Sequence, residues 1–156
     1  MHRRRRSHRH GRRIVMNKPG VRKPTRAALS ALIARSRFTA QYGFRVTAVA
    51  DDACTIAMPF QQAYQRPGGT VNGPAYMAAA DCAMWIAIKR HIGMEHDAVT
   101  SEMNTAFLNA ARRETVYCTA RILKLGKRII YGTARCHDRK GRIFTHHTIT
   151  YARLRK

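Results

Sequence analysis

The stretch of residues 70–88 constrains this chain most, because it combines good helix formers with an almost complete lack of polar side chains. Asn72 or Gly73 can act as the N-cap, and Pro74 suits the first turn, where a missing N–H costs no hydrogen bond. Residues 75–88 are nearly all apolar or small, so the predicted helix has no solvent face of its own. We therefore expect the rest of the fold to surround it.

Asp81 is the exception within this apolar helix. An ionised carboxylate that is buried without partners costs several kcal/mol, so a chain keeps one there only if partners or chemistry justify it. Asp81 is for this reason the first candidate for a functional residue.

The remaining segments predict one short helix and several strands. Residues 26–38 have an amphipathic pattern typical of a surface helix, and residues 60–69 are rich in turn formers and predict a loop. Alternation of apolar and polar residues, with turn residues between, predicts strands at 43–50, 54–59, 98–108, 114–125, 128–137 and 142–154. The predicted class is α+β, with a curved antiparallel sheet of about six strands wrapped around one long central helix.

Length and charge predict one folded domain behind a basic leader. The chain has 156 residues and a net charge of +22, and residues 1–26 hold eleven Lys or Arg and no acid. Residues 1–23 are too polar to fold alone and should be a disordered leader, with a single domain over 24–156. The leader can be an over-extended gene start, since Met16 is a second possible beginning, or less readily a transit peptide. Nucleic acid is not a favoured partner, because no aromatic residue lies among the arginines.

Other function classes are disfavoured by spacing and hydropathy. No run of eighteen apolar residues is present, so we expect no membrane span. The four cysteines lack the spacing of a metal or redox site and should be core residues of a cytoplasmic protein. His146 and His147 are adjacent on a predicted strand and should face opposite sides, so we expect no metal site there.

Two motifs together resemble a known family. The segment 69–74, with Asp81 eight residues after Gly73, and the strand at 99–108 resemble the hotdog-fold acyl-CoA thioesterases of the phenylacetic-acid-degradation type. The resemblance covers about residues 40–153. It implies a homodimer or a dimer of dimers, with sites at the dimer interface, that hydrolyses acyl-CoA without a metal or other cofactor.

The resemblance also implies roles for individual residues. Gly73 would present the helix N-terminus to the thioester carbonyl, where free N–H groups and the positive end of the dipole stabilise an oxyanion. Asp81 would act as the general base on water or, less readily, as the nucleophile. Thr100 would hold that water in line.

Substrate binding is assigned to Thr70, Asn72 and Arg66. The family usually has His where this chain has Asn72, and an amide can still cap the helix and bind the acyl carbonyl. The best-studied branch has Asn where this chain has Arg66. A guanidinium cannot accept a hydrogen bond, so Arg66 would instead contact the partner's Asp81, which would weaken the base, or a CoA phosphate.

The sequence also allows other roles for these residues and another function for the protein. Asp81 can be a purely structural carboxylate satisfied by Arg66, Asn72 or backbone across the dimer, and Thr100 a plain strand threonine. The alternative function is a non-catalytic acyl-CoA-binding or sensor module of the same fold. Hotdog dehydratases fit less well, because the His and acid pair that they use is missing near Asp81. The sequence does not define acyl-chain preference or pathway.

Overall fold

The computed structural model describes residues 22–154. The predicted leader lies outside the described residues except for its last two. One of these, Lys23, forms an ion pair with Asp51 at 2.9 Å on the surface of the domain. No helix in the described range is long and apolar enough to cross a membrane.

The long apolar helix is α3, which runs from Gly73 to Ile92. Asn72 is its N-cap, Pro74 lies in its first turn, and Gly93 ends it with a φ of 84°. A positive φ is costly for residues with a Cβ, which explains a glycine at that end. The prediction of a capped central helix is confirmed.

Eight strands form two sheets. The large sheet has six antiparallel strands in the order β1-β2-β6-β7-β8-β5, and β3 and β4 form a separate small pair. The strands are β1 (Arg45–Val49), β2 (Ala53–Met58), β3 (Gln65–Arg66), β4 (Thr70–Val71), β5 (Ala98–Phe107), β6 (Val116–Leu125), β7 (Ile129–His137) and β8 (Ile143–Arg153). The prediction of an α+β fold with about six strands around one helix is confirmed.

The sheet packs one side of α3 and leaves another side open. Apolar side chains of β2, β6 and β7 contact the helix, and most of its residues are buried. A stripe of α3 at helical spacing remains exposed or partly exposed, namely Pro74, Met77, Ala78, Asp81 and Trp85. The sequence predicted a helix without a solvent face. Within one protomer this is wrong, because the sheet ends at β5, whose outer edge is unpaired.

Two local predictions also need correction. The predicted helix over 26–38 is α1 (Arg26–Arg35) followed by a short α2 (Arg37–Ala40). Ser36 separates them in extended conformation, and its hydroxyl donates to the Leu32 carbonyl in place of a continued helix. The predicted loop at 60–69 contains a 3₁₀ turn over Gln62–Tyr64 and strand β3, so it is more ordered than its composition indicated.

Candidate active site

Asp81 is held by two hydroxyl groups. The Thr100 hydroxyl donates to Asp81 Oδ1 at 2.5 Å, and the Tyr151 hydroxyl donates to the same oxygen at 2.6 Å. The Tyr151 oxygen also lies 2.9 Å from the Asp81 backbone carbonyl oxygen. Asp81 is partly buried, Thr100 is exposed and Tyr151 is buried. The carboxylate is thus fixed on the open stripe of α3, where a ligand or a second protomer can reach it.

A β-bulge brings the two hydroxyls to one point. Thr100 lies directly opposite Tyr151 across β5 and β8, and the register then shifts so that Glu102 lies opposite Thr150. Ser101 is the additional residue, and it reverses the alternation of the strand. Strict alternation, counted back from the inward side chains of the rest of β5, would place Thr100 on the outer face. The bulge therefore aims Thr100 at α3.

Tyr151 remains a donor at ordinary pH. Burial, together with the negative charge of Asp81, raises the pKa of Tyr151 well above its usual value. A phenol that stays protonated keeps its O–H bond for the carboxylate. This contact is therefore present whenever Asp81 is ionised.

The N-terminus of α3 is fixed to the preceding loop by Asn72. Its Oδ1 accepts from the Ala75 N–H at 2.9 Å, and its Nδ2 donates to the Tyr64 carbonyl oxygen at 2.9 Å. The backbone N–H of Asn72 donates to the same Tyr64 carbonyl at 2.8 Å. The amide therefore caps the helix as predicted, and it retains one N–H for a ligand.

Gly73 has the one free backbone N–H group in the first turn of α3. Pro74 has no N–H, and the Ala75 N–H is capped by Asn72. Among the described residues, none accepts a hydrogen bond from the Gly73 N–H. A Cβ at Gly73 would lie 3.2 Å from the ring of Phe107, so the glycine also makes room for that ring.

A cleft of about 430 Å³ opens beside this helix end. Its lining residues are Arg66, Thr70, Val71, Gly73, Tyr76, Phe107, Leu108, Asn109 and Ala110. Phe107 and Leu108 are more than half exposed and form an apolar wall. Arg66 supplies a cation at the same cleft. Such a site can accept a ligand with an apolar part and an anionic or polar part.

The predicted residues thus form two groups within one protomer. Arg66, Thr70 and Gly73 meet at the cleft, whereas Asp81 and Thr100 form a pair farther along the helix. Eight residues separate Gly73 from Asp81, which is about 12 Å along the helix axis. Within the described part of one protomer, no ion pair joins Arg66 to Asp81. Pairing of Arg66 with the partner's Asp81 stays a prediction.

Sequence reasoning missed three residues of this region. Tyr151 was assigned only to a strand, and Tyr76 and Phe107 were not singled out. The ring of Phe107 contacts that of Tyr76 edge to face, with centroids 6.5 Å apart. Tyr151 is buried in β8, and no local signal in the sequence indicates that its hydroxyl meets Asp81.

The four cysteines and His147 are buried in the core. All four cysteines are buried and free, and burial raises the pKa of the Cys54 thiol to about 12. His147 is buried and bonded to Thr105 and Thr145, while His146 faces the other side of β8. The described residues contain no group of three or more His, Cys, Asp or Glu that could hold a metal ion.

Fold and site together define a hotdog-fold protein, in which a curved antiparallel sheet packs around one long helix. The model of the Thioesterase superfamily matches residues 68–145, which is half of the chain and includes Asp81, Thr100 and every residue that lines the cleft except Arg66. The chain belongs to this family.

Individual relatives agree with this assignment. A protein of Thermoplasma acidophilum described as a putative esterase is 24% identical over 79% of this chain and 92% of its own length. A thioesterase from Haemophilus influenzae superposes with a TM-score of 0.78 at 19% identity, over 85% of this chain and 92% of that one. A mutant thioesterase from Pseudomonas aeruginosa gives a TM-score of 0.77 at 23% identity, over 85% and 96%. The two superpositions show the shared fold, and membership of the family supports an ester or thioester hydrolase.

Proposed function

We propose that the protein hydrolyses acyl-CoA thioesters as a homodimer or a dimer of dimers, with Asp81 as the general base. The observation that carries this proposal is a carboxylate held by two hydroxyls on the open stripe of a helix whose own N-terminus borders a cleft. A buried structural carboxylate would be enclosed on every side, whereas this one can be reached.

Two-fold symmetry would complete the site. Met77 lies four residues after Gly73 and four before Asp81, in the middle of the open stripe, and it is 37% exposed. If two α3 helices pack antiparallel across Met77, each Asp81 meets the Gly73 end of the other helix. The base and the N–H donor, about 12 Å apart within one chain, then come together twice.

In this arrangement the chemistry is a direct attack of water. Asp81 removes a proton from the water while the water oxygen bonds to the thioester carbonyl carbon. The carbonyl π electrons move to the carbonyl oxygen. The N–H of Gly73 and the positive end of α3 stabilise that oxyanion. When the intermediate collapses, the C–S bond breaks and the leaving thiolate takes the proton from Asp81. The products are a carboxylic acid and CoA.

The other predicted residues orient the reactants. The Thr100 hydroxyl donates its hydrogen to Asp81, so its oxygen can accept a hydrogen bond from the second O–H of the water and keep the water in line. The free N–H of Asn72 and the Thr70 hydroxyl are near enough to the helix end to bind the acyl carbonyl or the thioester chain. Arg66, exposed at the cleft, would contact a phosphate of CoA. No metal or cofactor takes part in this proposal.

The decisive experiment measures CoA release. The purified full chain is incubated with short aliphatic, medium-chain and aromatic acyl-CoAs and a reagent that reports free thiols. We expect turnover with at least one of them, and a loss of about 10²–10⁴-fold in kcat for Asp81→Asn. Asp51→Asn, which changes an exposed carboxylate paired with Lys23, is the matched control and should keep wild-type turnover.

A binding module would give a different result. If no acyl-CoA is hydrolysed and Asp81→Asn leaves acyl-CoA binding unchanged, the protein is a non-catalytic acyl-CoA-binding domain. If turnover occurs and Asp81→Asn retains it, the protein is an enzyme but the base is wrongly assigned.

A further inference from the structure

Tyr151 has no role in the mechanism above, yet it makes the closest contact to Asp81 from the buried side. Its side chain is only 2% exposed, and its hydroxyl is 2.6 Å from Oδ1. A buried hydroxyl must find a partner, and this one lies between a carboxylate and a carbonyl of the same residue. The contact therefore fixes the Asp81 side chain relative to its own helix.

The two hydroxyls act on one carboxylate oxygen. Thr100 and Tyr151 both donate to Oδ1, so the two in-plane lone pairs of that oxygen are occupied. Among the described residues, none donates to the second oxygen, Oδ2. The two oxygens are therefore not equivalent: one is anchored, and the other is free for a ligand.

We propose that Tyr151 is a positioning residue that anchors Asp81 Oδ1 and thereby makes Oδ2 the oxygen that takes the proton from water. This inference rests on the proposed function and adds to it the choice of the reacting oxygen. Without the Tyr151 hydroxyl, only Thr100 holds Oδ1, so the carboxylate rotates over a wider range about its terminal bond. With the anchor, Oδ2 keeps one direction while the Thr100 oxygen accepts a hydrogen bond from the other O–H of the same water.

The rate, rather than the affinity, depends on such an anchor. Tyr151 does not contact the substrate in this scheme, so its loss should leave acyl-CoA binding intact. Misorientation of the base affects only the step in which the proton moves, and small displacements of reacting groups have large effects on rate. A lower kcat with an unchanged KM thus distinguishes a positioning role from a general loss of structure.

The test uses the Tyr151→Phe variant, which removes the hydroxyl and keeps the ring. With the best acyl-CoA substrate, we expect kcat to fall at least about tenfold while KM stays within about twofold. Thr39→Val is the matched control: it removes another fully buried hydroxyl, that of Thr39 in α2, which donates to the Ile33 carbonyl of α1 at 2.7 Å. That variant should lose stability without losing kcat, measured well below its melting temperature.

A double variant supplies a second readout. Thr100→Val alone should also lower kcat, and because both hydroxyls act on one oxygen, the combined variant should lose less than the product of the two single losses. The proposal is overturned if Tyr151→Phe keeps wild-type kcat, if its KM rises in parallel, or if it unfolds while Thr100→Val remains fully active. These outcomes differ from failure of the proposed function, in which the wild type releases no CoA or Asp81→Asn stays active.

Discussion

The Phe107 ring lies against Gly73 so closely that a Cβ on the glycine would be 3.2 Å from two ring carbons. This contact places an aromatic wall at the N-terminus of α3, where the only free N–H of the first turn is located. The φ of Gly73 is not positive, so space rather than backbone conformation requires a glycine here.

We expect Gly73→Ala to separate stability from activity. Alanine favours helices over glycine by up to about 1 kcal/mol, and Phe107, which is 58% exposed, can swing aside, so the melting temperature should stay or rise. The displaced ring and the new methyl group would occupy the place of the carbonyl, so kcat/KM should fall by at least about tenfold. Thermal melts and CoA release measure the two effects. An unchanged kcat/KM would show that the substrate does not approach this helix end.

Gly132→Ala should affect folding itself. A Cβ at this position would lie 2.3 Å from the Arg121 carbonyl oxygen and 2.5 Å from Met84 Cε, between two strands and the helix. The neighbouring backbone cannot move without breaking the β6 and β7 pairing, so we expect a loss of about 3 kcal/mol or more in the free energy of unfolding. Urea denaturation measures it. Gly141→Ala is the control, because that glycine has open space and only a positive φ of 93°, which should cost about 1–2 kcal/mol.

His91 should make the domain less stable in mild acid. Burial, and then the positive charges of Lys23 and Arg90, lower the pKa of His91 below its ordinary value of 6.5, although Asp51 and Asp52 act in the other direction. The unfolded chain therefore binds a proton more readily than the folded one, and stability is lost as the pH falls below about 6.5.

The His91→Gln variant checks this pH effect. Its melting temperature should fall less than that of the wild type between neutral pH and about pH 5, because the glutamine does not titrate. Equal slopes in the two proteins would assign the acid sensitivity to other groups. The measurement is a series of thermal melts at constant ionic strength.

Met77→Glu should separate the two protomers. A charge at the centre of the open stripe of α3 would be buried against its own copy, and like charges buried together are strongly unfavourable. We expect the wild type to elute as a dimer or tetramer, and the variant to elute as a monomer with intact secondary structure and no turnover. Ile129→Glu, at a comparably exposed apolar residue of β7, should keep the dimer. Light scattering after gel filtration measures the mass, and an active monomer would contradict the shared site.

Local features of the chain were predictable because they depend on neighbouring residues. The cap at Asn72, the proline in the first turn and the glycine after Ile92 are local signals, and the structure confirms each of them. The strand pattern likewise predicted six strands around the helix. The break at Ser36 was not predicted, since a serine in an amphipathic run is compatible with either outcome.

A single acid in a helix that is apolar along most of its length can be recognised from the sequence, because composition and helical spacing are properties of a continuous segment. The groups that hold this acid are brought to it by the folded chain. Tyr151 lies 70 residues from Asp81, and Thr100 faces it through a one-residue bulge. Strand register and bulges depend on pairing between distant segments, so the same residues with the register shifted by one would point both hydroxyls elsewhere.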